Sequence, residues 1–374
     1  MHWLLAALVT GSAVFCVLVV VAARRYGAVR APRLDRAEPV SVLKPLAGAD
    51  EGLEENLRSF FTQEYPGGFE ILLAAREESD PAVVVARKVQ SEHPDVASRL
   101  LIVGEPPYPN AKVWSLDHMT RAARHELLAM SDSDIRVGHD FLRTVAAEFQ
   151  DPALAVATCP YRAVPGDRFW SRLEAIMMNT EFLSGILVAR MLEGMRFAVG
   201  PTIVARKSAI SAVGGWNELK DFLAEDFVLG QRAAERGLGV ALSSYVIEHH
   251  IGGQPFKPNA GHRIRWCRST RRSRPAGYVG QVFTNPVPLV LALLLAAPSW
   301  WPLCVATIAA RAAAAVAVAG HVLHDPLCAR NWWLVPLSDL ANFAFWIGGF
   351  FGNTIAWRGR IYFLRTDGRF ERIA

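Results

Sequence analysis

The chain has 374 residues, 52% of them hydrophobic, and a formal net charge of +5. That length allows a sizeable core plus a second region, and so apolar a composition exceeds what a purely soluble enzyme needs. Its five cysteines, Cys16, Cys159, Cys267, Cys304 and Cys328, are scattered without C-x-x-C spacing, which argues against a disulfide framework or a zinc site and agrees with a reducing cytoplasm.

Residues 3–23, WLLAALVTGSAVFCVLVVVAA, carry no charge and are long enough to cross a bilayer core as a helix. A secretory signal peptide would need a basic segment ahead of a shorter apolar run. Here the arginines follow instead, as Arg24, Arg25, Arg30, Arg33 and Arg36. That asymmetry predicts a retained membrane anchor over 1–25 with the following chain on the cytoplasmic side.

From 31 to about 280, strand-like and helix-like segments alternate. VSVLKPL (40–46), FEILLAA (69–75), RLLIVG (99–104), ELLAM (126–130) and ALAVATC (153–159) are apolar runs of strand length. GLEENLRSFFTQ, PAVVVARKVQSEH and HDFLRTVAAEFQ lie between them with helical periodicity. The pattern predicts an α/β domain with a mostly parallel sheet covered on both faces. Such sheets bind ligands at the carboxyl ends of their strands.

Asn110 and Lys112 precede a helix and can contact a nucleotide or its phosphates; a solvated lysine is the plain alternative. The strand ELLAM then runs into Asp132 and Asp134. On an extended chain, two carboxylates one residue apart point the same way and can share a cation. Hard oxygen ligands select Mg2+ or Mn2+, which in turn bind substrate phosphates. A helix N-cap near Gly138 would explain one aspartate, but hardly both.

The apolar, Met-rich stretch 169–197 reads either as a core helix or as an interfacial helix that admits a lipid headgroup. His249 and His250 are neighbours in a strand, on opposite faces, and read as structural. Basic residues crowd 257–274, KPNAGHRIRWCRSTRRSR, just before the next apolar region. Attraction to anionic lipid accounts for most of them, and a membrane-tethered chain disfavours a nucleic-acid partner.

After Pro286 the composition changes. PVPLVLALLLAAPSWWPLC (286–304) reads as a transmembrane helix with an aromatic end, Trp300 and Trp301. CVATIAARAAAAVAVAG (304–320) is Ala-rich with Arg311 inside, and the segment 331–357 contains Pro336 and Asp339. If all three span, the tail RGRIYFLRTDGRFERIA lies outside, whereas its basic residues argue for the cytoplasm. The third segment then reads as interfacial or re-entrant, and the parity of the spans stays open.

In this order the stretches resemble the membrane-bound ceramide glucosyltransferases (glycosyltransferase family 21), and most of all the bacterial hopanoid-associated branch. The resemblance runs through 41-SVLKPLAGADEGLEENLRSFFTQEYP-66, 76-REESDPAVVVARKV-89, 110-NAKVWSL-116 and SDSDIRV. It resumes at 214-GGWNELKDFLAEDFVLG-230, 262-HRIRW-266, 274-RPAGYVGQVFTNPVPL-289 and the WRGRIY tail. It implies a nucleotide-diphospho-sugar transferase (GT-A type) domain over 31–280, flanked by the anchor, a membrane region (281–357) and a basic tail (358–374). It also implies inverting transfer of a hexose, glucose or N-acetylglucosamine, from a UDP-sugar to a hydroxyl of a membrane lipid, ceramide or hopanoid.

Carried over residue by residue, Asp80 in ESDPA matches the aspartate that faces the nucleotide, and Asp132 and Asp134 match the metal and diphosphate motif. Asp226 in AEDF matches the general base; its ordinary role would be at a helix N-terminus, and Glu225 is the candidate one residue back. Arg265 and Trp266 match the closing Arg-Trp, but His262 stands where the family has Gln or Arg. Trp266 can stack on substrate or anchor at the headgroups. The chemistry asks for these parts: a cation and an arginine to receive the charge left on UDP, and a carboxylate to deprotonate the lipid hydroxyl. A processive polysaccharide synthase of the same fold needs a longer membrane portion, and a non-catalytic scaffold would have lost the metal pair or the base. Oligomeric state is not legible in the sequence.

Overall fold

The computed structural model describes residues 2–373. In chain order its strands are β1 (Val40–Pro45), β2 (Phe69–Ala75), β3 (Ser98–Ile102), β4 (Leu127–Ser131), β5 (Ile135–Arg136), β6 (Leu154–Thr158), β7 (Tyr161–Pro165), β8 (Thr202–Arg206), β9 (Gly239–Leu242), β10 (Ile247–Gly252), β11 (Thr354–Trp357), β12 (Arg360–Leu364) and β13 (Phe370–Arg372). Seven of them form one sheet in the order β3-β2-β1-β4-β8-β6-β9. All run parallel except β8, which pairs antiparallel with both β4 and β6. The five strands expected from the apolar runs are β1, β2, β3, β4 and β6, so the mostly parallel sheet forms as the sequence predicts.

Side-chain alternation builds a core on each face of this sheet. Ile71 and Leu73 of β2 and Leu127 and Ala129 of β4 face one way, against helices Leu53–Phe61, Pro81–Glu92 and Phe141–Glu148. Leu72, Ala74, Leu128 and Met130 face the other, against helices Ala111–Ala122 and Glu225–Glu235. Each fully buried Leu or Ile contributes about 1.5–3 kcal/mol by leaving water. A small second sheet, β5-β10-β7, lies beyond the end of β4.

The amino-terminal helix His2–Gly27 is built into the domain rather than hung from it. Cys16, Val19, Ala22 and Tyr26 belong to the same apolar core as the first sheet face, and Tyr26 Oη donates to Ser243 O at 2.6 Å. The stretch 169–197 forms a helix, Phe169–Glu193, most of it buried between the sheet domain and the apolar helices. It is packed like a core helix, between the sheet domain and the apolar helices.

The apolar segments divide differently from the sequence reading. A single helix over 286–304 does not form, because Pro298 opens a new helix: Pro286–Ala296 ends, and Pro298–Val322 follows. The first piece alone, at 1.5 Å per residue, is too short to cross a hydrocarbon core of about 30 Å; joined to helix Pro275–Phe283 across a 54° bend, it is long and apolar enough for a broken span or a re-entrant loop. Arg311 and Asp339, which interrupt the second and third segments, pair with each other: Arg311 Nη2 lies 2.6 Å from Asp339 Oδ1, and Arg311 also donates to Thr180. Each charge that looked like a flaw in an apolar helix neutralises the other.

The basic cluster is likewise engaged within the protein. On helix Phe256–Ser273, Arg268 donates to Phe351 O (3.0 Å), and Arg271 donates to Gly352 O (2.7 Å) and Asn353 Oδ1 (2.8 Å). These arginines hold the chain that enters β11. The tail expected at 358–374 is not a loose basic extension; β11, β12 and β13 form an antiparallel meander packed on the sheet domain. Phe370 N donates to Asp221 O at 2.8 Å, which ties the tail to the sheet domain.

Candidate active site

The carboxyl ends of β1 and β4 place their loops side by side, as expected for a parallel sheet. The Asp132-Ser133-Asp134 segment is not extended, however. It turns, with Ile135 N donating to Asp132 O at 3.3 Å, and the two carboxylates take different partners. This corrects the expectation that they point the same way. Asp132 Oδ1 lies 2.7 Å from Lys112 Nζ, while Asp134 Oδ2 lies 3.1 Å from His249 Nε2.

Lys112 is the hub of the site. Its ammonium also sits 3.3 Å from Glu225 Oε1 and donates to Gly200 O at 3.2 Å. Burial would lower its pKa, but Asp132 and Glu225 outweigh burial and hold it above its usual range. Asn110 supports this hub from below. Its Oδ1 caps the helix by accepting from Val113 N, and its Nδ2 donates to Phe222 O (2.8 Å) and Glu225 Oε2 (3.2 Å). Glu225 is thereby fixed on two sides, as a holder of Asn110 and Lys112.

Asp226, the next residue, is differently placed. It takes no hydrogen bond from any other side chain among the described residues, and it lines a small pocket, open on one side, whose polar residues Lys112, Ser131 and Glu225 face apolar ones such as Met130 and Trp216. A Cβ on Gly200 would fall 2.9 Å from Asp226 Oδ2, so glycine there makes room for the carboxylate. Burial and the neighbouring Glu225 push the Asp226 carboxyl up to about 7. A carboxyl of that strength, facing a cleft, is suited to accept a proton near neutrality.

Two residues here were not singled out as functional from the sequence. Lys44, near the carboxyl end of β1, is fully buried; its Nζ donates to Asp132 O at 2.5 Å and sits 4.0 Å from the Phe60 ring centroid. Burial pulls it down to about 7, against the opposing pull of Asp134 and Asp132. The signal was a lysine inside an apolar strand. His249, read as structural, does face opposite to His250, which pairs with Glu248. It is nonetheless part of the site, because it holds Asp134. Burial acts to raise the Asp134 carboxyl, but His249 prevails and keeps it below the usual range.

The remaining expected residues lie around this centre. Asp80 caps helix Pro81–Glu92 through Ala82 N (2.9 Å) and accepts from Gly48 N (2.9 Å). It therefore shapes the loop after β1, where Gly48 has φ +73°. His262 Nδ1 lies 3.0 Å from Glu174 Oε1 and packs edge-on against Trp266. Trp266 also packs on Phe182. Arg265 lies over the Trp357 ring, 5.7 Å from its centroid.

Whether these residues suit a divalent cation can be tested on the structure. Asp134 Oδ1 is buried with no hydrogen-bond partner, which is a donor atom in search of a cation or water. No group of three His, Cys, Asp or Glu converges among the described residues. Mg2+ and Mn2+ seldom need one, since substrate phosphates and water complete their shell. Asp134 suits such an ion through its unpartnered Oδ1, whereas Asp132 is already held by Lys112.

A family model, Glycosyl transferase family 21, matches residues 3–370. Ceramide glucosyltransferase 1 of Caenorhabditis elegans is 33% identical over 208 residues, which cover 55% of this chain and 44% of that protein. Ceramide glucosyltransferase 3 of the same organism is 28% identical over 208 residues, 55% of this chain and 45% of that protein. The matched segment thus spans less than half the length of these relatives. Among solved structures, the mannosyltransferase PcManGT from Pyrobaculum calidifontis, in complex with GDP-Man and Mn2+, superposes with a TM-score of 0.55 at 18% identity, covering 92% of this chain and 98% of that one. That likeness establishes the nucleotide-sugar transferase (GT-A) fold.

Proposed function

Because this chain belongs to glycosyl transferase family 21, we propose that it is a membrane glycosyltransferase that moves a hexose, glucose or N-acetylglucosamine, from a UDP-sugar to a hydroxyl of a lipid, ceramide or hopanoid, with inversion. The observation that carries the reading is Asp226: a carboxylate free of side-chain donors, facing a cleft, raised to about 7, beside a lysine-bridged aspartate. In this reading Asp226 takes the proton of the lipid hydroxyl as the new oxygen–carbon bond forms. The bond from the sugar to the diphosphate breaks, and its electron pair stays on the diphosphate. Glu225 and Asn110 hold Lys112, and Lys112 sets Asp132 toward the phosphates. Asp132 and Asp134 would hold Mg2+ or Mn2+, which when bound offsets charge on the leaving diphosphate. Asp80 and Lys112 serve the nucleotide, and Arg265 the leaving group.

The lipid acceptor is supported by the exposed apolar surface of the first helix and the C-terminal apolar segments. Trp3, Leu4, Leu295, Trp301, Trp332 and Trp333 are exposed, more apolar area than a soluble protein tolerates. Trp and aliphatic side chains in such a band suit a bilayer and its interface. With arginines following the first helix, the catalytic domain faces the cytoplasm, at the inner membrane of a bacterium. The meander's contact with the domain then requires that an even number of spans separate them.

The test is transfer of labelled sugar from UDP-glucose and UDP-N-acetylglucosamine to vesicles containing ceramide or a hopanoid polyol. The expected result is labelled lipid that disappears with excess EDTA and returns with Mg2+ or Mn2+. Transfer at full rate in EDTA removes the cation from the account; no labelled lipid with any acceptor removes the reading.

A further inference from the structure

The WRGRIY motif has no part in the chemistry above. Trp357 ends β11, Arg360 begins β12, and Arg358 and Gly359 form the two-residue turn between them, with φ of 49° and 77°. Two successive positive φ angles suit Asn-Gly, and an arginine held there is strained. What the turn gains is the direction of the side chain. Arg358 Nη1 donates to Ala47 O at 2.8 Å, and Nη2 lies 3.3 Å from Asp50 Oδ2. Ala47 and Asp50 flank Gly48, whose N–H is bound by Asp80. The arginine therefore reaches the loop at the carboxyl end of β1.

The neighbouring side chains point to an anion. Arg265 covers Trp357, next to Arg358 in the chain, and forms no hydrogen bond or ion pair among the described residues. Burial and the Arg358 charge pull its guanidinium down to about 10. The two guanidiniums act on each other, and although the carboxylates of Asp50, Glu174 and Glu225 lie near them, only Asp50 bonds either one, which leaves the Arg265 donors for a multiply charged ligand. The same meander reaches further. Arg360 pairs with Glu105 beyond β3, and Phe222 bridges Arg369 just ahead of Glu225 and Asp226. One small sheet thus touches the loops after β1 and β3 and the approach to Asp226.

We propose that Arg358 is a donor-binding residue, which leaves Ala47 and Asp50 to join Arg265 on the diphosphate of the nucleotide sugar, so that the C-terminal meander closes over the donor. The inference rests on the nucleotide-sugar reading of the site. Arginine's planar fork suits phosphate oxygens better than one backbone carbonyl and an exposed carboxylate.

The experiment uses the full chain in detergent with Mg2+, and measures by calorimetry the affinity for UDP or GDP, whichever the wild type binds, and for the matching monophosphate. Arg358→Ala should weaken the diphosphate about 10- to 100-fold, the loss of a charge-assisted hydrogen bond, and the monophosphate less than about 3-fold. Asp50→Asn should leave diphosphate affinity equal or higher, because it removes the competing partner. Equal losses for diphosphate and monophosphate, or a loss in Asp50→Asn matching that of Arg358→Ala, would show that Arg358 only ties the hairpin down. Unchanged diphosphate affinity in Arg358→Ala overturns the inference and leaves the function standing. If the wild type binds neither UDP nor GDP, the functional reading fails and takes the inference with it.

Discussion

Asp226→Asn lowers turnover by roughly 10²–10⁴-fold, the usual contribution of general-base help, which is about 3–5 kcal/mol of barrier. The amide keeps the size and most of the packing beside Gly200 but cannot accept the proton. Nucleotide affinity should change little, since the base faces the acceptor. The pH dependence is specific. A general base works deprotonated, and the carboxyl stands near 7 in the free enzyme. The wild-type kcat/KM should therefore rise with pH through about 7 and level off above it, because that parameter reports the free enzyme. The residual activity of the variant should lack this limb. Glu225→Gln should be milder, because Glu225 is bound to Asn110 and Lys112 rather than free to take a proton. Near-normal turnover in Asp226→Asn, or a dead Glu225→Gln beside it, would move the base.

Lys112→Met removes the one ammonium that lies between Asp132 and Glu225. Methionine fills much of the volume, so the loss is chiefly electrostatic. Two partly buried carboxylates then face each other, with Asp226 close by. Breaking a buried pair from one side costs about 3–5 kcal/mol, and the partial exposure of Lys112 and Asp132 brings the expectation to about 2–3 kcal/mol. The melting temperature should fall by roughly 3–4 °C. Added Mn2+ should recover more of that loss in the variant than it adds to the wild type, because it neutralises the freed Asp132. Thermal denaturation with and without Mn2+ measures both. An unchanged melting temperature would mean that Lys112 is no hub, and a cation effect equal in both proteins would separate Asp132 from metal binding.

Much of the molecule was legible in the sequence for local reasons. β1, β2, β3, β4 and β6 are apolar runs of strand length, and the helices between them carry their own caps, such as Asp80 ahead of Pro81 and Asn110 ahead of Ala111. What escaped depends on long-range pairing. β8 runs antiparallel between β4 and β6, and nothing in TIVAR states its direction. The meander at the C-terminus read as a basic tail because its pairing and its contact with Asp221 are tertiary. The Arg311–Asp339 pair joins residues 28 positions apart, each a flaw when read alone.

The candidate site divides in the same way. Its residue types were readable, and Asp132, Lys112, Glu225 and Asn110 do converge. The wiring was not readable. Asp132 and Asp134 follow an apolar strand, which suggests extended chain, yet the turn at Ser133 sends them to Lys112 and His249. His249 reads as structural because its role depends on β10 pairing with β5 beside Asp134. Lys44 lies inside an apolar run, where only its fold neighbours show what it donates to.

The central claim is that one carboxylate base drives an inverting transfer to a lipid. The direct measurement is the anomeric configuration, by NMR, of the first glycolipid formed from a UDP-α-hexose, Mg2+ or Mn2+ and a lipid alcohol. A β-linked product is expected. An α-linked glycolipid, or free sugar with no glycolipid, would contradict it.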